Sequence, residues 1–206
     1  MPRGSNRPYE GDLRRDLLDA AIAVVSHEDP ANLSLRAIAR QLGVSHAAPK
    51  NHFADKTELL TAIAVEGFAK LGQAMVEARM EADTAIDGMR ASGEAYMRFS
   101  IENPGYFRVM WRNELLCQED ERLEGSGRAV FAGLQESVAA AQREGWGADL
   151  SAEDLAVAAW SAVHGMAQLY LDGPLPKMDG REPAVMAAGL SQVLVLGLTA
   201  NGTPTG

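Results

Sequence analysis

Positions 45–51 gather Ser45, His46, Ala47, Lys50 and Asn51 with no carboxylate among them. Short hydrogen-bonding side chains on a rigid element can reach the edges of nucleic-acid bases. An asparagine amide bridges N6 and N7 of adenine, and an alanine methyl meets the methyl of thymine. Around this cluster stand Ser34, Arg36, His52 and Lys56, which with Lys50 offer donors suited to phosphate oxygens. His52 serves equally well as a structural residue against Phe53. Residues 34–54 hold three basic residues, Arg36, Arg40 and Lys50, and no acidic one. This is the chemistry of recognition. The chain has no Gly-rich phosphate loop, no H-E-x-x-H and no C-x-x-C, and its histidines share a basic surface rather than a carboxylate-lined cleft. No catalytic residue, metal or cofactor is expected.

The spacing says what must hold these side chains. Leu35, Ile38, Ala39 and Leu42 fall on one helical face, with Ser34 in the N-cap position and Gly43 where positive φ ends a helix. Val44 can plug between helices. Ser45 is expected to cap a second short helix through Asn51. Asp55 and Glu58 form an acidic capping box that starts a long helix at Lys56. Two short helices around a glycine turn describe a helix-turn-helix, whose second helix can enter a major groove. Pro49 disturbs that second helix: it removes a hydrogen bond and crowds the Ser45 carbonyl, so the helix is tightened there or starts later.

The remaining sequence reads as all-α. At 206 residues and 47% hydrophobic the chain can bury a large core, and it favours helix formers over β-branched alternation. A first helix is expected from about Asp12 to Ser26, a long one from Lys56 to about Met80, and others over about 84–102, 128–144, 152–171 and 183–198, with a short one after Asn103-Pro104. Residues 113–127, polar, acidic and Gly-rich, read as a loop or frayed segment. Residues 1–10 read as disordered, although Arg3 and Arg7 can touch phosphates. The single cysteine, Cys117, the lack of a signal-like N-terminus and the lack of an apolar run near the roughly 18 residues of a bilayer span point to the cytoplasm and no membrane. The net charge of −9 is uneven: residues 1–56 carry +1 and residues 57–206 carry −10. An acidic body repels DNA, so only the N-terminal face should approach it.

Two C-terminal helices are apolar on nearly all sides, the last through Val185, Leu190, Val193, Leu194, Val195 and Leu196. Such helices must be buried all round, which suggests a four-helix interface between two copies, the alternative being a compact monomer core. A small-molecule pocket in this half would draw on Met97, Phe107, Met110, Trp111, Trp160 and His164, residues that at helical spacing also suit plain core.

The segment Ala39, Leu42, Gly43, Val44, Ser45, then His52, Phe53 and Lys56, resembles the tetracycline-repressor-like (TetR) family. Trp160, His164 and Gly165 resemble the WHG-type C-terminal domain of that family. The resemblance implies an N-terminal helix-turn-helix domain (1–56) and a C-terminal ligand-binding and dimerisation domain (57–206). It implies a ligand-responsive homodimeric regulator, in the main a repressor, on a near-palindromic double-stranded DNA operator. Its effector, a small molecule, is unidentified. Pro49-Lys50 departs from the family, which places a tyrosine where Lys50 stands. The alternative is an all-helical ligand-binding or interaction protein that has lost operator binding.

Overall fold

The computed structural model describes residues 11–178 and 180–199; Arg3 and Arg7 lie outside the described residues. Among these residues the regular elements are all helical. Helix α1 (Leu13–Val25) starts where the Asp12 carboxylate accepts from the Arg15 N–H at 3.2 Å, and buries Leu17, Leu18, Ala21 and Val25 along one stripe. A fully buried leucine of this kind contributes about 1.5–3 kcal/mol. After a 3₁₀ turn at Pro30–Asn32, helix α2 (Leu35–Gln41) is capped by Ser34, whose hydroxyl oxygen accepts from Ala37 N–H at 3.4 Å. Gly43 ends the turn at φ +70°, where a side chain would be strained.

The next element differs from the expected helix. Ser45 makes no side-chain cap; residues 46–47 form a turn and only Ala48–Asn51 is helical, as one turn of 3₁₀ helix. Pro49 is the cause. It has no N–H to return to the Ser45 carbonyl, and the residue before a proline avoids the α region. The backbone instead closes through i→i+3 bonds, Ala48 to Ser45 at 3.0 Å and Lys50 to Ala47 at 3.2 Å. The helix is thus both tightened and shortened, and Pro49 itself is buried.

Helix α3 (Lys56–Met80) begins with Asp55 accepting from Glu58 N–H at 2.9 Å, while Glu58 reaches back to Ala54 N–H at 2.6 Å. By length and composition α3 could cross a bilayer, contrary to the expectation of no such segment. It is instead the central strut: Leu59, Leu60, Ile63 and Leu71 are buried along it, and it packs on α4 (Ala85–Glu102), α5 (Pro104–Met110) and α6 (Glu121–Arg143). Helix α6 begins seven residues before the expected start. Asp120 accepts from Arg122 and Leu123 N–H groups, and Glu121 and Glu124 fill the first turn, where the helix dipole favours acids. Of the stretch 113–127, residues 121–127 are thus the N-terminal turns of α6, while a 3₁₀ turn at Asn113–Leu115 and a loop precede them.

Helix α7 (Ala152–Leu171), capped by Ser151, packs on α4 and α6. A short α8 (Leu175–Met178), not anticipated, precedes α9 (Pro183–Thr199), which packs on α4 and α7. One apolar cluster runs from Leu17 of α1 through Ile63 of α3 and Phe107 of α5 to Ala167 of α7. A second surrounds Trp146 with Met89, Val138 and Leu155. The loop that delivers Trp146 turns at Gly145 (φ +98°) and Gly147 (φ +56°).

Candidate nucleic-acid interface and ligand cavity

Two regions emerge at opposite ends of α3. At its N-terminal end Ser34, Arg36, Ser45, His46, Ala47, Lys50 and Asn51 are all exposed, and His52 and Lys56 are half-buried. Beneath them Ile38, Ala39, Pro49 and Phe53 are buried and fix the surface in place. Arg14 of α1 stacks on the Phe53 ring at 5.1 Å, which pins the shortened helix against α1. Lys56 is partly committed: its ammonium donates to the Ala31 carbonyl at 2.8 Å and closes the segment before α2. Its remaining donors still face outward chemistry, as an ammonium carries three. Asn51 and Lys50 stand on the single 3₁₀ turn, so the base-reading set is carried by one turn and the bend before it.

The second region is a cavity of about 240 Å³ bounded by α3, α4, α6, α7 and α9. Of the six residues considered for a pocket, Trp111 and Trp160 form part of its wall. Met97, Phe107 and Met110 are fully buried in the core behind it and do not reach the wall. His164 stands beside the cavity, with its ring 4.8 Å from Trp111 and 6.1 Å from Trp160. Burial pushes the His164 imidazole below its ordinary pKa and pushes the Tyr96 hydroxyl above its own. Both therefore stay neutral, and the Tyr96 hydroxyl and His164 Nδ1 share a hydrogen bond at 2.8 Å. Gly165 faces the other way: a Cβ there would meet nothing within 4 Å.

Residues that sequence reasoning missed complete the wall: Phe68 and Met75 from α3, Met89 and Tyr96 from α4, Trp146, and Leu194 from α9. They come from distant stretches, and each alone is an apolar residue at helical spacing. Trp146 carried the one available signal, an indole between two glycines.

Helix α5 joins the regions. Trp111 at its C-terminal end lines the cavity, and Gly105 at its start lies against α1. A Cβ at Gly105 would stand 2.5 Å from the Ile22 carbonyl oxygen and 2.6 Å from Ser26 Oγ. Arg108 donates to the Ser26 carbonyl and, at 2.7 Å, to Asp172 at the end of α7. Arg15 of α1 reaches Glu66 of α3 at 2.8 Å, and the Tyr106 hydroxyl donates to the same carboxylate at 2.6 Å. Burial pushes the Glu66 carboxyl up, but the hydrogen bonds from Tyr106 and Arg15 and the charges of Arg15 and Lys70 outweigh it and hold it below its ordinary value. Among the described residues no group of three or more His, Cys, Asp or Glu could hold a metal ion.

Two family models match the chain. The family described as bacterial regulatory proteins, tetR family, matches residues 17–63. The family described as tetracyclin repressor-like, C-terminal domain, matches residues 89–193. Among solved structures, a protein with unknown function from Rhodococcus sp. RHA1 is 31% identical, with 94% of this chain and 100% of that one covered and a TM-score of 0.78. The TetR family transcriptional regulator PfmR from Thermus thermophilus shares the fold at 22% identity, covering 88% of this chain and 98% of its own with a TM-score of 0.74. The transcriptional regulator FadR from Bacillus subtilis, solved in complex with stearoyl-CoA, shares it at 14% identity, 89% and 98% coverage and a TM-score of 0.69. With a helix-turn-helix match at one end and a matching C-terminal domain over half the chain, this protein belongs to the tetracycline-repressor-like family of transcriptional regulators.

Proposed function

We propose that this protein is a ligand-responsive, sequence-specific DNA-binding regulator that acts as a homodimeric repressor on a near-palindromic operator in the cytoplasm, without catalysis or membrane attachment. Residues 1–56 form the DNA-binding domain and residues 57–206 the ligand-binding and dimerisation domain. The observation that carries the reading is the course of α3. Lys56 at its start borders the acid-free exposed surface, while Phe68 and Met75 farther along it form part of the cavity wall. A ligand that favours one position of α3 therefore alters where Lys50 and Asn51 stand. It needs only higher affinity for the conformation that does not fit the operator.

The apolar surface of α7 and α9 supports the dimer. Val157, Leu169, Val185 and Val193 are 47–68% exposed in a single chain, and Gly165 leaves room for close approach. A symmetric four-helix contact through these helices would cover them. Two-fold pairing would set the two reading heads in successive major grooves about 34–36 Å apart. The stearoyl-CoA bound to a structurally similar regulator supports a small-molecule effector.

Selection of random duplex DNA on purified dimer at near-physiological salt tests the reading. Enrichment of a two-fold symmetric motif is expected. The second reading, a ligand-binding protein without operator binding, is favoured by the single 3₁₀ turn at Ala48–Asn51. It predicts no enrichment from folded dimer, with or without ligand in the cavity.

A further inference from the structure

We propose that the cavity selects an uncharged, largely apolar small molecule of roughly a dozen heavy atoms, in keeping with a volume below the usual range for ligand sites. This rests on the ligand-responsive reading and names the chemical class of its ligand. The wall excludes charge. Among the described residues that line it there is no lysine and no carboxylate, and the one cation is Arg90. Arg90 is already held by two acids of its own helix, Asp87 at 3.3 Å and Glu94 at 3.1 Å. An anionic ligand would compete with both, and a cationic one would meet no acid in the wall; an unpaired charge taken from water into such a site is costly.

The wall meets a ligand through apolar surface. Trp111 and Trp146 both line the cavity, but the Nε1 of each is buried away from it, and Trp146 is only 1% exposed. Each ring therefore offers carbon rather than its N–H to an occupant.

Calorimetric titration of the full-length protein with methyl nonanoate and with decanoate tests the proposal, since the two share carbons and oxygens and differ in charge at about pH 8. Tryptophan fluorescence gives a second readout, because all three tryptophans of the chain line the cavity. The ester should bind at least roughly tenfold more tightly than the carboxylate. Equal or tighter binding of decanoate overturns the proposal, as does failure of both to bind. Gly127→Leu places a side chain into the cavity from α6, where a Cβ would sit 3.9 Å from the Phe68 ring. It should keep its helical signal and melting temperature and lose most ester affinity; undiminished affinity in this folded variant overturns the assignment of the site. Operator binding measured alongside separates the two readings: ester binding without any change in DNA affinity supports the ligand class and sinks the ligand response.

Discussion

The two ends of α3 are built on opposite physical terms. The N-terminal surface is polar, exposed and drawn from a run of about twenty residues. The cavity is apolar, concave and assembled from residues spread between Phe68 and Val195. At the surface a side chain acts through its charge or hydrogen bonds and carries little of the fold. In the cavity the same atoms that would meet a ligand also pack the domain. Function and stability are therefore separable at one end and fused at the other, and substitutions can test that separation.

The largest effect belongs at the fused end. Trp146→Ala empties the centre of the cluster formed with Met89, Val138 and Leu155, and should cost about 3–5 kcal/mol. Chemical denaturation measures the loss. In the protein that stays folded, the salt dependence of DNA binding should be unchanged, since no phosphate contact is touched. A changed slope would break the contrast by tying the cavity to the reading surface electrostatically.

Gly105→Ala attacks the junction. Its methyl would stand 2.5 Å from the Ile22 carbonyl oxygen, so α5 must move away from α1, at about 1–3 kcal/mol. Because Trp111 lies at the other end of α5, ligand affinity and operator affinity should both shift. If melting temperature falls while both affinities hold, α5 is packing alone and the two regions are coupled only through α3.

At the separable end the expected changes leave the fold intact. Lys50→Ala should weaken binding to all sequences about equally and lower the salt slope by about 0.9 for each phosphate released. Asn51→Ala should instead relax discrimination at one base position by about 1–3 kcal/mol. Both variants should melt like the parent, as both side chains are exposed. Competition binding across salt concentrations distinguishes them, and an unchanged slope in Lys50→Ala removes it from the phosphate contacts.

The same contrast explains what could be read from the sequence. The N-terminal half is written locally: Ser34 before the Leu35–Ile38–Ala39 face, Gly43 in the turn, and Asp55 with Glu58 are signals that act over a few residues, and each formed as its spacing implies. Pro49 signals a disturbed helix, but which of two outcomes prevails depends on the carbonyl partners available, and both occurred. The start of α6 is hard to read because Gly125 and Gly127 weigh against a helix locally, whereas Asp120 and its acidic first turn supply the cap. The cavity wall is legible only at Trp111 and Trp160. Met97 and Phe107 have the same composition and periodicity as true wall residues, and only the relative rotation of α4 and α5 turns them into the core.

His164 offers the smallest and finest test, because it stands beside the apolar cavity yet carries a titratable group. Its burial among Tyr96, Phe107, Trp111 and Trp160 depresses its pKa, so the folded protein resists the proton that the unfolded chain accepts near pH 6.5. In that window the unfolded state binds more protons. Stability is thus complete above the unfolded value and declines as pH falls below it toward the folded value. Melting temperature should drop between neutral pH and about pH 5 more steeply in the parent than in His164→Asn, which cannot titrate. Protonation also fixes the direction of the hydrogen bond: Nδ1 becomes a donor and the Tyr96 hydroxyl, on the cavity wall, must accept. Ligand affinity should fall over the same pH range in the parent and stay flat in the variant, while the exposed surface around Lys50 has no such buried partner to lose. Parallel pH profiles for parent and variant would mean that the imidazole is solvated well enough to titrate freely, and that the cavity wall is more open to water than its burial implies.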